Sequence, residues 1–213
     1  MSRIEKRKQK LNVWGKRFFL LLGINIFIIL LLVILIMWPV KETKLPSQSL
    51  DLENESSEFI VRTSKQNLNN LINAYIEQLT EGTEHKYRIE LDEDVHLIGE
   101  LPVFSTTVPL SIHFEPIATE NGDIILQQRS ISLGLLELPN RKIMEYLDKY
   151  LPMPEWVTVD PKNEEIYIAL TQMDIKSNFK LVAETIDLEA NNLAFKIHVP
   201  YRTLGIESFE PQE

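Results

Sequence analysis

From Phe18 to Trp38 the chain passes through 21 residues of which only Gly23 and Asn25 are not strongly apolar. A helix rises about 1.5 Å per residue, so a run of this length covers the ~30 Å hydrocarbon layer while bonding its own backbone there. Cleaved leaders carry a shorter apolar region followed by small residues at the cut. Here the run ends in Met37-Trp38-Pro39, and we expect an uncleaved signal anchor. Residues 1–17 hold seven basic side chains against Glu5 alone, a net of +6, and the whole chain carries −9, which leaves −15 for the rest. The positive-inside bias then assigns residues 1–17 to the cytoplasm and everything after the span to the extracytoplasmic side. Trp14 and Trp38 suit the two membrane interfaces, and Asn25 is the one polar group in the span.

Beyond the span, residues 39–58 are polar without sustained periodicity and read as a juxtamembrane linker. Residues 59–213 form the extracytoplasmic domain. Its first helix is capped by Ser64, carries Leu68, Leu71, Ile72, Tyr75, Ile76 and Leu79 as one apolar stripe, and stops near Gly82. The period then drops to two. Tyr87, Ile89 and Leu91 lead through Asp92-Glu93-Asp94 to Val95, Leu97 and Ile98, the pattern of a hairpin. A strand from Val103 to Glu115, with Val108, Leu110, Ile112 and Phe114 on one face, turns at Glu120-Asn121-Gly122-Asp123 into a strand over Ile124–Leu133. Pro139 opens a short helix to Tyr150 that buries Ile143, Tyr146 and Leu147, and Pro152 and Pro154 end it. Four more strands follow, at Trp156–Val159, Ile166–Thr171, Phe179–Leu188 and Leu193–Val199. Loops this short leave no room for repeated crossover helices. The fold class is therefore α+β: a transmembrane helix, then a curved antiparallel sheet packed on one long and one short helix.

Chemistry is sparse. The chain has no cysteine, which removes disulfides, thiolate metal sites and cysteine nucleophiles. His85, His96, His113 and His198 sit in no recognisable catalytic motif, and seven glycines make a phosphate-cradling loop improbable. His113 and His198 alternate with apolar neighbours and should occupy the polar face of a strand. Asp92, Glu93 and Asp94 offer oxygen ligands, but three consecutive carboxylates lack the alternating spacing and turn glycine of a calcium loop. A solvated hairpin tip is the simpler reading, and we expect neither metal nor cofactor. An exterior of −15 repels polyphosphates, which argues against nucleic acid as a partner.

Apolar surface remains to be placed. Ile124-Ile125-Leu126, the Leu133–Leu138 stretch and Leu101–Phe104 are apolar on both strand faces, which suits a thick core, a dimer surface or a groove for an apolar ligand. Met153 and Trp156 lie on a proline-stiffened loop, fitted to a groove mouth or a membrane contact.

Taken together, the signal anchor, the Asn67-Leu68-Asn69-Asn70-Leu71-Ile72 helix start, Val108-Pro109-Leu110, Asn121-Gly122, Ser130-Ile131-Ser132-Leu133-Gly134, Leu138-Pro139, Leu151-Pro152 and Trp156-Val157 resemble the YpmS-like family of bacterial membrane-anchored proteins. The similarity runs over residues 12–205 and carries over no catalytic residues. Architecturally the domain also resembles the tubular lipid-binding (TULIP) domains, where a long helix and a bent antiparallel sheet enclose a hydrophobic groove. That second resemblance implies a groove lined by the helix stripe (Leu68, Leu71, Ile72, Tyr75, Ile76, Leu79) and by Leu110, Ile112, Phe114, Ile131 and Leu133. We therefore expect a non-enzymatic domain that binds a membrane lipid or other amphiphile. The alternative is a cell-envelope scaffold with a filled core, whose partners are envelope proteins.

Overall fold

In the computed structural model the apolar run lies within one uninterrupted helix, α1 (Arg3–Ile36). Described are residues 3–36, 56–103, 106–134, 139–175 and 178–205. Trp38, residues 39–55 of the expected linker, Phe104 and the apolar run 135–138 fall outside that set, as does the side chain of Trp14. The chain divides into two compact units, residues 1–41 and 42–213. In the first, an 18-residue window, Arg17–Ile34, is long and apolar enough to cross a membrane. Asn25 donates its side-chain N–H to the Leu21 carbonyl one turn back at 3.1 Å, so its helix already satisfies it.

The described residues of the second unit begin with a strand, β1 (Ser56–Thr63), three residues of which lie in the stretch read as linker. Helix α2 (Lys65–Thr80) follows at once, with the Ser64 hydroxyl accepting from the Asn67 N–H at 3.3 Å as its cap. Then come β2 (Tyr87–Leu91), β3 (Val95–Val103), β4 (Thr106–Ala118), β5 (Ile124–Leu133), α3 (Asn140–Tyr150), β6 (Val157–Asp160), β7 (Glu165–Ile168), β8 (Lys180–Asp187) and β9 (Asn192–Pro200). Two antiparallel sheets result: six strands in the order β2-β3-β4-β5-β7-β6, and three in the order β1-β9-β8. The first is the curved sheet expected from the sequence. The second gathers the two ends of the domain, which local patterning could not pair.

Cross-strand register puts Val95, Leu97, Leu110, Ile112, Phe114 and Leu133 on one face of the larger sheet. All six are buried, and Ile143, Met144 and Leu147 of α3 belong to the same core. A register shift at His113/Phe114 lets the sheet bend around that helix. The outer face is polar as expected at His113, but His198, on the middle strand β9 of the smaller sheet with Glu58 of β1 3.6 Å from its Nδ1, is buried.

The β4–β5 turn joins the two sheets. Asp123 is buried, and its carboxylate accepts from the Thr171 N–H (3.0 Å), the Tyr167 hydroxyl (2.5 Å) and the Asn121 side-chain amide (3.0 Å). A buried carboxylate stays only where it is satisfied in this way. Burial, and the bond to Asp123, push the Tyr167 hydroxyl above its ordinary pKa. Next to it Gly122, at φ +88°, donates no side chain but offers its carbonyl to the Ala183 N–H of β8 at 2.7 Å. A Cβ on Gly122 would overlap the Val182 side chain, whereas Gly82, at φ +76°, has open space around it.

This contrast gives a paired prediction. Both glycine-to-alanine changes force a left-handed backbone on an L-residue, about 1 kcal/mol, and Gly122→Ala adds an overpacking cost of about 1–3 kcal/mol. Chemical denaturation of the full chain in detergent, followed by tryptophan fluorescence, should show Gly122→Ala clearly less stable than Gly82→Ala. Equal losses would mean that Gly122 does not bind the two sheets closely.

Candidate functional site

An open sheet edge must find partners for its N–H and C=O groups. On β2 the partner is a helix. Asn73 of α2 donates to the Ile89 carbonyl (2.7 Å) and accepts from the Ile89 N–H (2.9 Å), while Asn69 accepts from the Leu91 N–H (3.0 Å). Four residues apart, the two amides face the same way and stand in for a missing strand. This docking fixes the rotation of α2. Ile76 is turned inward and buried, Leu68 packs on the core, and Ile72 and Leu79 are half-buried. Leu71 and Tyr75 face outward, at 67% and 39% exposure.

The curl of the sheet brings β2 back to the loop that enters β6. Tyr87 on β2 donates its hydroxyl to the Pro152 carbonyl at 2.7 Å. Tyr75 lies against Trp156, with ring centroids 5.9 Å apart and planes at 45°. Met153 on the same loop packs partly buried on the core. A seam thus closes between the two edges of one sheet. Burial, reinforced by Tyr75, pushes the Tyr87 hydroxyl up to about 12.

Not every residue expected to line a groove lies at this seam. Leu110, Ile112, Phe114 and Leu133 are buried in the core against α3, and Ile131 is partly buried on it. Tyr75 and Trp156 meet at the seam, Met153 on the same loop packs against the core, and Leu71 stands one helical turn from Tyr75. Beside it, an open concavity of about 860 Å³ between the C-terminal half of α2 and β2 is lined by Ala74, Glu77, Glu81, His85, Tyr87 and Arg88 among others. Tyr87 was missed as a seam residue. Its signal, an aromatic at the start of a strand, is indistinguishable in sequence from any core tyrosine.

A second set of polar residues was also missed, because it depends on strand register. His96 and His113 stand directly opposite on β3 and β4, their rings stacked at 4.0 Å and 15°. His96 Nε2 is 2.7 Å from the Ser111 hydroxyl, and His113 Nδ1 is 2.9 Å from the Asp94 carboxylate. Burial, then His113, lowers the pKa of His96 against the opposing pull of Glu90 and Asp94. A serine next to a histidine is half of a nucleophile pair, but the acid here orients His113 instead of His96. The N–H groups around them belong to the strand ladder and are not free to stabilise an oxyanion. Among the described residues, no three His, Asp or Glu side chains converge as a metal would require.

Residues 12–199 match a family described as "Uncharacterized protein conserved in bacteria (DUF2140)". The chain belongs to this family. A relative from Bacillus subtilis (strain 168), "Uncharacterized protein YpmS", is 30% identical over 190 residues, covering 89% of this chain and 99% of the relative. The YpmS-like resemblance read from the sequence is thereby established. No solved structure matches the chain, and none supports the likeness to TULIP domains.

Tyr87 supplies a test of the seam. Its folded pKa of about 12 lies above the ordinary value of 10, so its contribution is complete below pH 10 and is lost as pH rises toward 12. Tyr87→Phe should lower stability at neutral pH by about 1 kcal/mol, through the lost bond to Pro152, and should flatten the alkaline decline. Denaturant midpoints measured from pH 7 to 12 check both effects. An unchanged decline would place the alkaline sensitivity elsewhere.

Proposed function

We propose that this protein holds the acyl portion of a membrane amphiphile at the seam between α2 and the 151–156 loop, and that it binds this ligand without transforming it. In this reading α1 anchors the chain in the cell membrane, residues 1–17 lie in the cytoplasm, and the domain stands on the extracytoplasmic side. The observation that carries the reading is Leu71 and Tyr75. They are exposed on a helix that turns Ile76 into the core, and Tyr75 lies against Trp156, in a chain that also holds a membrane-length apolar helix. Exposed apolar side chains flanking an aromatic seam suit a ligand that brings its own apolar surface.

The energetics are adequate only near a bilayer. Covering about six methylenes is worth ~5 kcal/mol, a millimolar affinity in free solution. Tethering to the membrane raises the local ligand concentration into that range. The acyl chain would lie along Leu71 and Tyr75, and any deeper entry would require the Tyr87–Pro152 bond and the Tyr75–Trp156 contact to open.

The full chain, reconstituted in phosphatidylglycerol and phosphatidylethanolamine vesicles containing a diazirine-labelled phospholipid, tests this directly. Photolysis should place adducts on peptides of α2 and the 151–156 loop as well as on the span. Leu71→Asp or Tyr75→Asp should reduce the domain adducts roughly tenfold, with helix content unchanged by circular dichroism. Adducts confined to Phe18–Trp38 would refute the proposal.

A further inference from the structure

β1 is an edge strand with nothing along its outer side among the described residues: β9 pairs with one side of it, and the sheet ends there. Phe59, Ile60 and Val61 are 53%, 56% and 44% exposed, three consecutive apolar residues spread over both faces. Pro200, which pairs with Ser56, has no N–H, so that pair falls where an antiparallel ladder makes no bonds. The alternation then turns the N–H and C=O groups of Glu58, Ile60 and Arg62 toward the free side. An eight-residue edge of this kind is a template for another strand.

Its sequence specifies which strand. Laid antiparallel against itself about Ile60, the segment Ser57-Glu58-Phe59-Ile60-Val61-Arg62-Thr63 sets Glu58 opposite Arg62, Phe59 opposite Val61 and Ser57 opposite Thr63, each pair occurring twice. Moving the two-fold axis one residue either way, a register shift of two, sets Glu58 or Arg62 against Ile60 and discards both ion pairs. From this we infer that β1 is a homodimer interface, in which a second copy of the chain adds its own β1 across a two-fold axis through Ile60 and joins two three-stranded sheets into one of six. The contact is self-complementary, as a two-fold interface must be. Cross-strand apolar and opposite-charge pairs then add their usual increments on top of the ladder bonds. Chain length permits it. The two Ser56 residues would stand about 27 Å apart at ~3.4 Å per residue, and the stretch 37–55 spans roughly 60 Å when extended, so two copies anchored in one membrane can reach this register.

A chain without cysteine makes the test clean. Two differently tagged full-length chains, one with Phe59→Cys and one with Val61→Cys, are co-expressed in membranes and oxidised. Positions 59 and 61 face each other as a non-bonded pair about 4.5 Å apart between Cα atoms, within disulfide reach. The 59–61 disulfide should dominate over the 59–59 and 61–61 products. Arg62→Glu, chosen first because Glu58 also lies 3.6 Å from His198 Nδ1, should cut it roughly tenfold, and Glu58→Arg combined with Arg62→Glu should restore it. Ser57→Cys with Thr63→Cys gives an independent reading of the same register. Monomer throughout, equal yields of all pairings, or crosslinks to a different protein would each overturn the proposal.

Discussion

Two open sheets leave four edges, and each edge carries backbone groups that water or another partner must satisfy. Three of the four are dealt with inside the domain. Asn69 and Asn73 bond the edge of β2 and thereby fix where α2 lies and how it is rotated. β6 is only four residues long and runs beside α3. β8 bonds the Gly122 carbonyl and packs on the short 3-10 turn Leu170–Gln172. β1, eight residues long with Phe59, Ile60 and Val61 exposed, has no partner on its outer side among the described residues.

The seam follows from the first of these solutions. With α2 bonded along the edge of β2, and not laid across a sheet face, the concave side of the sheet is left to α3, whose Ile143, Met144 and Leu147 fill it. The helix stripe is then divided. Ile76 reaches the core while Leu71 and Tyr75 remain outside, where the returning loop supplies Trp156. Removing one amide would expose two backbone groups of Ile89 together, so the edge bonds and the apolar seam depend on each other.

Much of this was legible in the sequence because each feature depended on local patterning. The Ser64 cap, the Asn121-Gly122 turn, the strand over Ile124–Leu133 and the helix after Pro139 are all found where the sequence put them. What failed was long-range. Asn69 and Asn73 look like ordinary polar positions on a helix, and only their meeting with β2 makes them a substitute strand. His96 and His113 are seventeen positions apart, and register alone stacks them. β1 escaped notice because Phe59-Ile60-Val61 do not alternate with polar residues, the usual mark of a half-buried strand, and because its partner β9 lies about 140 residues away. The same break in alternation sets Ile60 between Glu58 and Arg62 on one face while Phe59 and Val61 share the other.

That point bears on why the exposed edge is tolerable. A free, apolar strand edge on a freely diffusing domain invites indiscriminate pairing. Anchored by α1 as proposed, the chain would meet other molecules of its kind in a plane, with a common orientation, and the productive encounters would be lateral. Within those encounters, Glu58 and Arg62 discriminate between registers: one alignment pairs unlike charges twice, while the neighbouring ones set a charge against Ile60. Natural edges are usually protected by a charge that forbids pairing. Here the two charges have opposite signs and flank the apolar centre symmetrically, an arrangement that permits one pairing and disfavours its neighbours.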